Sequence, residues 1–114
     1  MVPKEERLIY ATTTHDNEIF TSVIKKENLR FRDHQADERS HYAKMATDIE
    51  YNAPFGWSEF MGIHHRADWD LGRHEKYSGQ SMNYTDPDSG EVFIPWDIET
   101  SAGVDRSLLF ILLD

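Results

Sequence analysis

Glu99, Ser101, Gly103, Asp105 and Arg106 follow one another closely near the C-terminal end of this 114-residue sequence. A strand is expected to end at Glu99, a small-residue turn follows, and an apolar helix then carries Arg106 in its first turn. A carboxylate at a strand end can hold an ammonium group. Glycine at 103 lets a ligand approach the backbone closely. Arginine can grip phosphate in a fork or stack on a flat base. Backbone N–H groups at a helix start also favour anions. The alternative is a capped helix start with a surface Arg–Asp pair and Ser101 as N-cap.

A second group is Asp48, Glu50 and Glu59. Asp48 and Glu50 lie two apart on an expected strand and so share a face. Glu59 lies on the expected partner strand, with Met61 and Ile63 on its face. Such carboxylates repel one another unless Mg²⁺ or an amine lies between them, or unless the face is solvated. A third group is His64-His65-Arg66-Ala67-Asp68-Trp69-Asp70, with His74 nearby. Adjacent histidines on a strand point to opposite faces, and no HExxH-type spacing exists, so a zinc site is not expected. Arg66 is expected to pair with Asp68 or Asp70. Phe55, Trp57, Trp69 and Trp96 read as core or sheet-packing residues, with ligand stacking as the alternative for one of them.

These groups need elements to position them. Ile19, Phe20, Val23 and Ile24 mark one face of a helix across residues 18–26. Residues 29–33 alternate as a short strand, and residues 36–45 read as a helix. Residues 47–51 and 57–64 form an antiparallel pair broken at Asn52-Ala53-Pro54-Phe55-Gly56. Residues 68–77 read as a short helix or turn ending near Gly79. Asp86-Pro87-Asp88-Ser89-Gly90 is a turn that separates residues 81–85 from 91–99. Pro95 should face an edge or a bulge. The fold class is α+β, an antiparallel sheet flanked by helices.

Composition bounds the partners. Twelve basic and 21 acidic residues give a net charge of −9, which disfavours a phosphate backbone as a ligand of this chain alone. It suits a cationic amine, or a phosphate carried on Mg²⁺. The absence of cysteine excludes disulfides, thiolate zinc sites and cysteine nucleophiles. No stretch approaches the roughly 20 apolar residues of a membrane span, and the N-terminus has no apolar signal-peptide core. A cytoplasmic protein is expected. The final helix, Leu108 to Leu113 above all, has more apolar surface than so short a chain can cover, so a piece of something larger is expected.

Four ordered segments resemble a known family: residues 48–51 (Asp-Ile-Glu-Tyr), 54–59 (Pro-Phe-Gly-Trp-Ser-Glu), 62–71 (Gly-Ile-His-His-Arg-Ala-Asp-Trp-Asp-Leu) and 99–106 (Glu-Thr-Ser-Ala-Gly-Val-Asp-Arg). Together they resemble the C-terminal part of the catalytic core of dimeric-type glycyl-tRNA synthetase, a class II aminoacyl-tRNA synthetase. Asn28 to His34 and His41 to Lys44 resemble the segment before those strands. The likeness covers residues 28–114, a partial catalytic core ending in the third-signature helix. Residues 1–27 match poorly.

The resemblance implies ATP-dependent activation of glycine and its transfer to tRNA(Gly). It places glycine against Glu99, Thr100, Ser101, Ala102 and Gly103, with Glu99 on the ammonium. It places ATP against Glu59, Phe60, Gly103, Val104, Asp105 and Arg106. Glu59 would help place Mg²⁺, and Arg106 and Glu59 would be the catalytic pair. Thr100 stands where the family often has proline, His64 for alanine, Ala67 for threonine, Trp69 for another aromatic, and Gly72 for a more helix-friendly residue. The intact enzyme would be a homodimer, with little direct tRNA binding by this acidic stretch. The first two class II signatures and the anticodon-binding domain lie outside this sequence, so the chain alone is expected to be inactive. The alternative is a non-catalytic synthetase-like binding module.

Overall fold

The computed structural model describes residues 21–39 and 43–114. Six strands and two α-helices follow in order: β1 (Leu29–Asp33), β2 (Met45–Ala53), β3 (Gly56–Ala67), α1 (Trp69–Ser78), β4 (Tyr84–Thr85), β5 (Val92–Phe93), β6 (Asp97–Ser101) and α2 (Val104–Leu113). A 3-10 turn, Lys26–Asn28, precedes β1. The main sheet is antiparallel throughout, in the order β1-β2-β3-β6. The architecture is α+β, as expected.

The β2–β3 hairpin is the backbone of the molecule. Ala53 pairs with Gly56 across a two-residue loop, Pro54-Phe55. The turn demands φ = 110° at position 56, which glycine alone adopts without strain. Further along, the register slips between Ile49 and Glu50, so that β3 carries one extra residue at Phe60. This bulge inverts the alternation of β3. Phe60 joins Tyr51 and Phe110 in the core, Ile63 packs on Ile49, and Met61 packs against both groups. Glu59 therefore does not share a face with Met61 and Ile63, contrary to simple alternation.

The apolar face of the sheet is closed by α2. Phe110 is 1% exposed. Its ring lies 4.7 Å from Tyr51 and 5.5 Å from Phe60. Asp114 ties the end of α2 to the 3-10 turn. Its carboxylate accepts from Lys25 N at 3.0 Å and Asn28 Nδ2 at 2.6 Å. The Asn28 bond in particular holds that carboxyl below the ordinary aspartate range.

Several expected elements differ. The helix expected over 36–45 is absent from its described part: residues 36–39 form turns and Met45 opens β2. Asp33 and Thr47 are cross-strand partners, so the chain must reverse within that interval. Of the helix expected over 18–26, residues 18–20 lie outside the described residues, as do Ser40 to Tyr42. Residues 21–24 are turn and bend, with Ile24 buried and Val23 exposed. The strand expected to end at Glu99 runs to Ser101, and the helix cap is Gly103, with no side-chain cap bond. Ser101 is thus strand rather than N-cap. The helix ending near Gly79 is α1, closed by Gly79 N–H donating to Glu75 O at 3.0 Å. The turn at 86–90 closes the small β4–β5 hairpin. Pro95 lies between β5 and β6, where no ladder bond is asked of it.

None of the four large aromatics is in the core. Phe55 is exposed and Trp57 lies under the Arg30 guanidinium at 4.3 Å. Trp69 lies under Arg73 at 4.3 Å, and Trp96 sits between Lys44 Nζ at 4.0 Å and the His65 ring at 5.3 Å.

Candidate functional site

The sheet face opposite Phe110 is polar, and the strands fill it in register. Asp48 and Glu50 are buried there, but β1 supplies their counter-charges. Arg30 stands opposite Glu50 and Arg32 opposite Asp48. Arg30 Nε lies 2.5 Å from Glu50 Oε2, and His34 Nε2 lies 2.7 Å from Asp48 Oδ2. Arg32 Nη1 is 3.9 Å from the same Asp48 oxygen. This face is therefore neither solvated nor dependent on an external cation at Asp48 and Glu50. The alternating arginines of β1 carried that signal, legible only once β1 is paired with β2.

Glu59 is different. The bulge turns it away from Met61, its side chain is exposed, and its Oε1 reaches over Gly62. β6 pairs with β3 so that Glu99 stands opposite His64 and Ser101 opposite Gly62. Glu59, His64, Glu99 and Ser101 thus share one face. Thr100 alternates onto the other face of β6 and can offer this side only its backbone.

Glu99 is held by β3. Arg66 Nη1 donates to Glu99 Oε2 at 3.1 Å, and His64 Nδ1 lies 3.6 Å from Glu99 Oε1. Arg66 also makes a fork with Asp70: Nε donates to Oδ2, and Nη2 to Oδ1 at 2.8 Å. That contact holds the Asp70 carboxyl below its usual value. Of the two expected partners of Arg66, Asp70 is the one it takes. Two carboxylates share one guanidinium, so the group keeps one negative charge. With its side chain 38% exposed, Glu99 can still meet an incoming cation.

Beside the Glu59–Phe60 bulge, where α2 begins, lies an open cleft of ≈ 470 Å³ lined by Glu59, Phe60, Gly103, Val104, Asp105 and Arg106. Arg106 Nη1 donates to the Glu59 backbone carbonyl at 3.0 Å, fixing the guanidinium against the bulge of β3. Gly103 O accepts from Ser107 N at 2.9 Å and Ser107 Oγ at 2.7 Å. The cap offers no side-chain acceptor to the first-turn N–H groups, which leaves them for an anion. Ala102 and Gly103 are the only residues between β6 and α2, so Glu99 and the cleft lie close along the chain.

The sequence reading missed the Arg66–Glu99 bond, which needs the β3–β6 pairing. His64 and His65 do face opposite ways: His64 meets Glu99, while His65 is fully buried and accepts the Ala67 N–H on Nδ1 at 3.1 Å. Among the described residues, no group of three or more histidines, aspartates and glutamates is placed to hold a metal.

Sequence comparison supplies relatives with the same motifs. The chain is similar to glycine–tRNA ligases of Caldanaerobacter subterraneus subsp. tengcongensis (57% identical), Clostridium acetobutylicum (52%) and Geobacillus kaustophilus (48%). Each match covers 91 residues, 80% of this chain and 20% of the relative. The chain spans about a fifth of the length of the curated relatives it matches. No protein-family model matches it. The chain is homologous to a segment of aminoacyl-tRNA synthetases. Within that group, the curated relatives it matches are named glycine–tRNA ligases, as the resemblance implied.

Proposed function

We propose that this chain forms the glycine- and ATP-facing part of a glycine–tRNA ligase. The observation that carries the reading is that β6, which carries Glu99, passes through only two residues into α2, whose start lines the cleft with Glu59 and Arg106. Glu99 takes the glycine ammonium with the negative charge that Arg66 and Asp70 leave on the group. Ser101, Ala102 and Gly103 line the path to the cleft, with Thr100 contributing backbone. Arg106 and the first-turn N–H groups take ATP phosphate or stack on its base, between Glu59, Phe60, Val104 and Asp105.

Glu59 suits Mg²⁺. A single exposed carboxylate beside a phosphate site is the donor set that this ion accepts, since it usually completes its shell with phosphate oxygens and water. When bound, Mg²⁺ would offset phosphate charge. The reaction is in-line attack of a glycine carboxylate oxygen on the ATP α-phosphorus, with pyrophosphate leaving, followed by transfer of the glycyl group from the adenylate to tRNA(Gly), with AMP leaving. The chain's contribution is positioning and charge neutralisation. The whole enzyme would act as a cytoplasmic homodimer, with tRNA held mainly elsewhere, as the acidity of this segment requires. No helix among the described residues is long and apolar enough to cross a membrane.

Calorimetric titration of the chain with glycyl-sulfamoyl adenosine and Mg²⁺ tests this. Glu99→Ala and Arg106→Ala should each weaken binding by about tenfold or more, the scale of one lost charge-assisted contact. Equal binding by wild type and both variants would contradict the assignment. A binding module that takes a protein partner and no adenylate would show no heat in any of the three.

A further inference from the structure

His65 is a buried side chain that packing alone does not explain. It stands level with Met45 of β2 and Ile98 of β6, and it is fully buried. Its Nδ1 accepts the Ala67 N–H at 3.1 Å, so the proton of the neutral ring is on Nε2. That Nε2–H meets no partner among the described residues, and the ring stands edge-on to Trp96. An unpaired buried donor is costly, and phenylalanine would fill similar space without one. What histidine adds is the acceptor, and that acceptor holds an unusual stretch of backbone. Ala67 has φ = 52°, in the left-handed region that alanine disfavours. The β3–β6 register slips at the same place. His65 is opposite Ile98 and Ala67 is opposite Asp97, so Arg66 is the extra residue of a bulge. From that bulge the Arg66 guanidinium reaches both Glu99 in β6 and Asp70 in α1.

We propose that His65 is a positioning residue, which acts on the Glu99 carboxylate through the bulge at Arg66. The imidazole clasps the N–H two residues on, holds Ala67 left-handed and so fixes the corner between β3 and α1. With the corner fixed, Arg66 leaves β3 at the angle that lets one guanidinium serve Glu99 and Asp70 together. Without the clasp, Ala67 relaxes towards negative φ, Arg66 swings with it, and Glu99 loses the donor on its Oε2. The bond asks only for an acceptor two residues before Ala67. Asparagine, whose side chain bonds its own backbone two residues on, supplies one; phenylalanine does not. That the carboxylate so held receives an ammonium rests on the reading of Glu99 as the amine site.

The test compares His65→Phe and His65→Asn with wild type on the full chain, by two readouts. The first is the Arg66 Nε–H resonance in NMR, which reports the Asp70 contact and needs no ligand. It should move in His65→Phe and keep its wild-type position in His65→Asn. The second is calorimetry with glycyl-sulfamoyl adenosine and Mg²⁺. His65→Phe should bind about fivefold or more weakly, the scale of one displaced charged contact, and His65→Asn within about twofold of wild type. A role in packing alone predicts the reverse order, since phenylalanine keeps the bulk and asparagine does not. That reverse order, or equal behaviour of the two variants, overturns the inference. Should either variant not fold by circular dichroism, the wild-type ring decides. Its proton–nitrogen correlation spectrum near neutral pH should show a neutral imidazole with the proton on Nε2. A proton on Nδ1, in a neutral or a charged ring, overturns the inference, because Nδ1 then has no lone pair for Ala67. If wild type binds no analogue, the amine-site reading of Glu99 fails, and the Arg66 resonance decides the role of His65 by itself.

Discussion

Arg66 serves two carboxylates from one guanidinium, and its energetic signature should be read at Asp70. The fork from Arg66 favours the ionised Asp70 carboxylate, so its folded-state pKa lies below the ordinary value of 3.8. A lowered folded pKa means stabilisation that is complete above the unfolded value and is lost as the pH falls through the folded one. Asp70→Asn should therefore cost about 1–2 kcal/mol at pH 7, the pair being partly exposed. The gap in thermal midpoint between variant and wild type should close as the pH falls below about 4. A gap independent of pH would show that the charge of Asp70 contributes nothing. Half of this arrangement was legible in the sequence. An i,i+4 Arg–Asp pair at a helix start is a local pattern, and Asp70 was one of its two expected partners. Glu99 lies 33 residues from Arg66 and reaches it only through strand register. The same limit applies to Asp48 and Glu50. Their shared face was readable from their spacing, but the arginines that neutralise them come from β1, with His34 just beyond it bonded to Asp48, and required the pairing of β1 with β2.

At the scale of elements, α2 is held to the sheet by one fully buried side chain. Phe110 inserts between Tyr51 and Phe60, while Leu108, Leu109 and Leu112 remain exposed. Phe60 is the extra residue of the β3 bulge, so the same contact holds the helix and sets the direction of Glu59. Phe110→Ala should cost about 3–5 kcal/mol. It should also loosen the Arg106 contact to the Glu59 carbonyl, because nothing else so buried anchors α2. Chemical denaturation measures the first effect, and the Arg106 Nε resonance by NMR the second. A variant with unchanged stability would refute the anchoring role. The helix itself was plain in its apolar run, and the β2–β3 hairpin in the turn residues between two alternating segments. The bulge was not visible, because Glu59-Phe60-Met61 satisfies simple alternation equally well. The described part of the helix expected over 36–45 is not helical, because its local pattern gave way to the sheet, which draws Met45 into β2. Ser101 failed as a cap for the same reason: β6 continues through it to pair with Gly62.

For the whole molecule, the acidic charge and the exposed apolar surface of α2 make sense together if the segment works inside a larger assembly. It spans about a fifth of its relatives, and its six exposed large α2 side chains form an extended apolar surface. What it holds by itself is a polar face carrying Glu99 and, two residues further along the chain, a cleft carrying Arg106. The family was legible because four motifs recur in order, each at a place where the fold needs it: the buried β2 carboxylates, the hairpin turn, the β3-to-α1 corner and the β6-to-α2 link. The central claim is that Glu99 and the cleft form the two ends of one site. Two-dimensional amide NMR of the labelled chain, titrated with glycyl-sulfamoyl adenosine and Mg²⁺, tests it most directly. The account predicts that amides of Glu59, Gly62, Glu99, Ser101 and residues 103–106 shift together, with one common dissociation constant. Shifts confined to one end, or two sets with different constants, would contradict it.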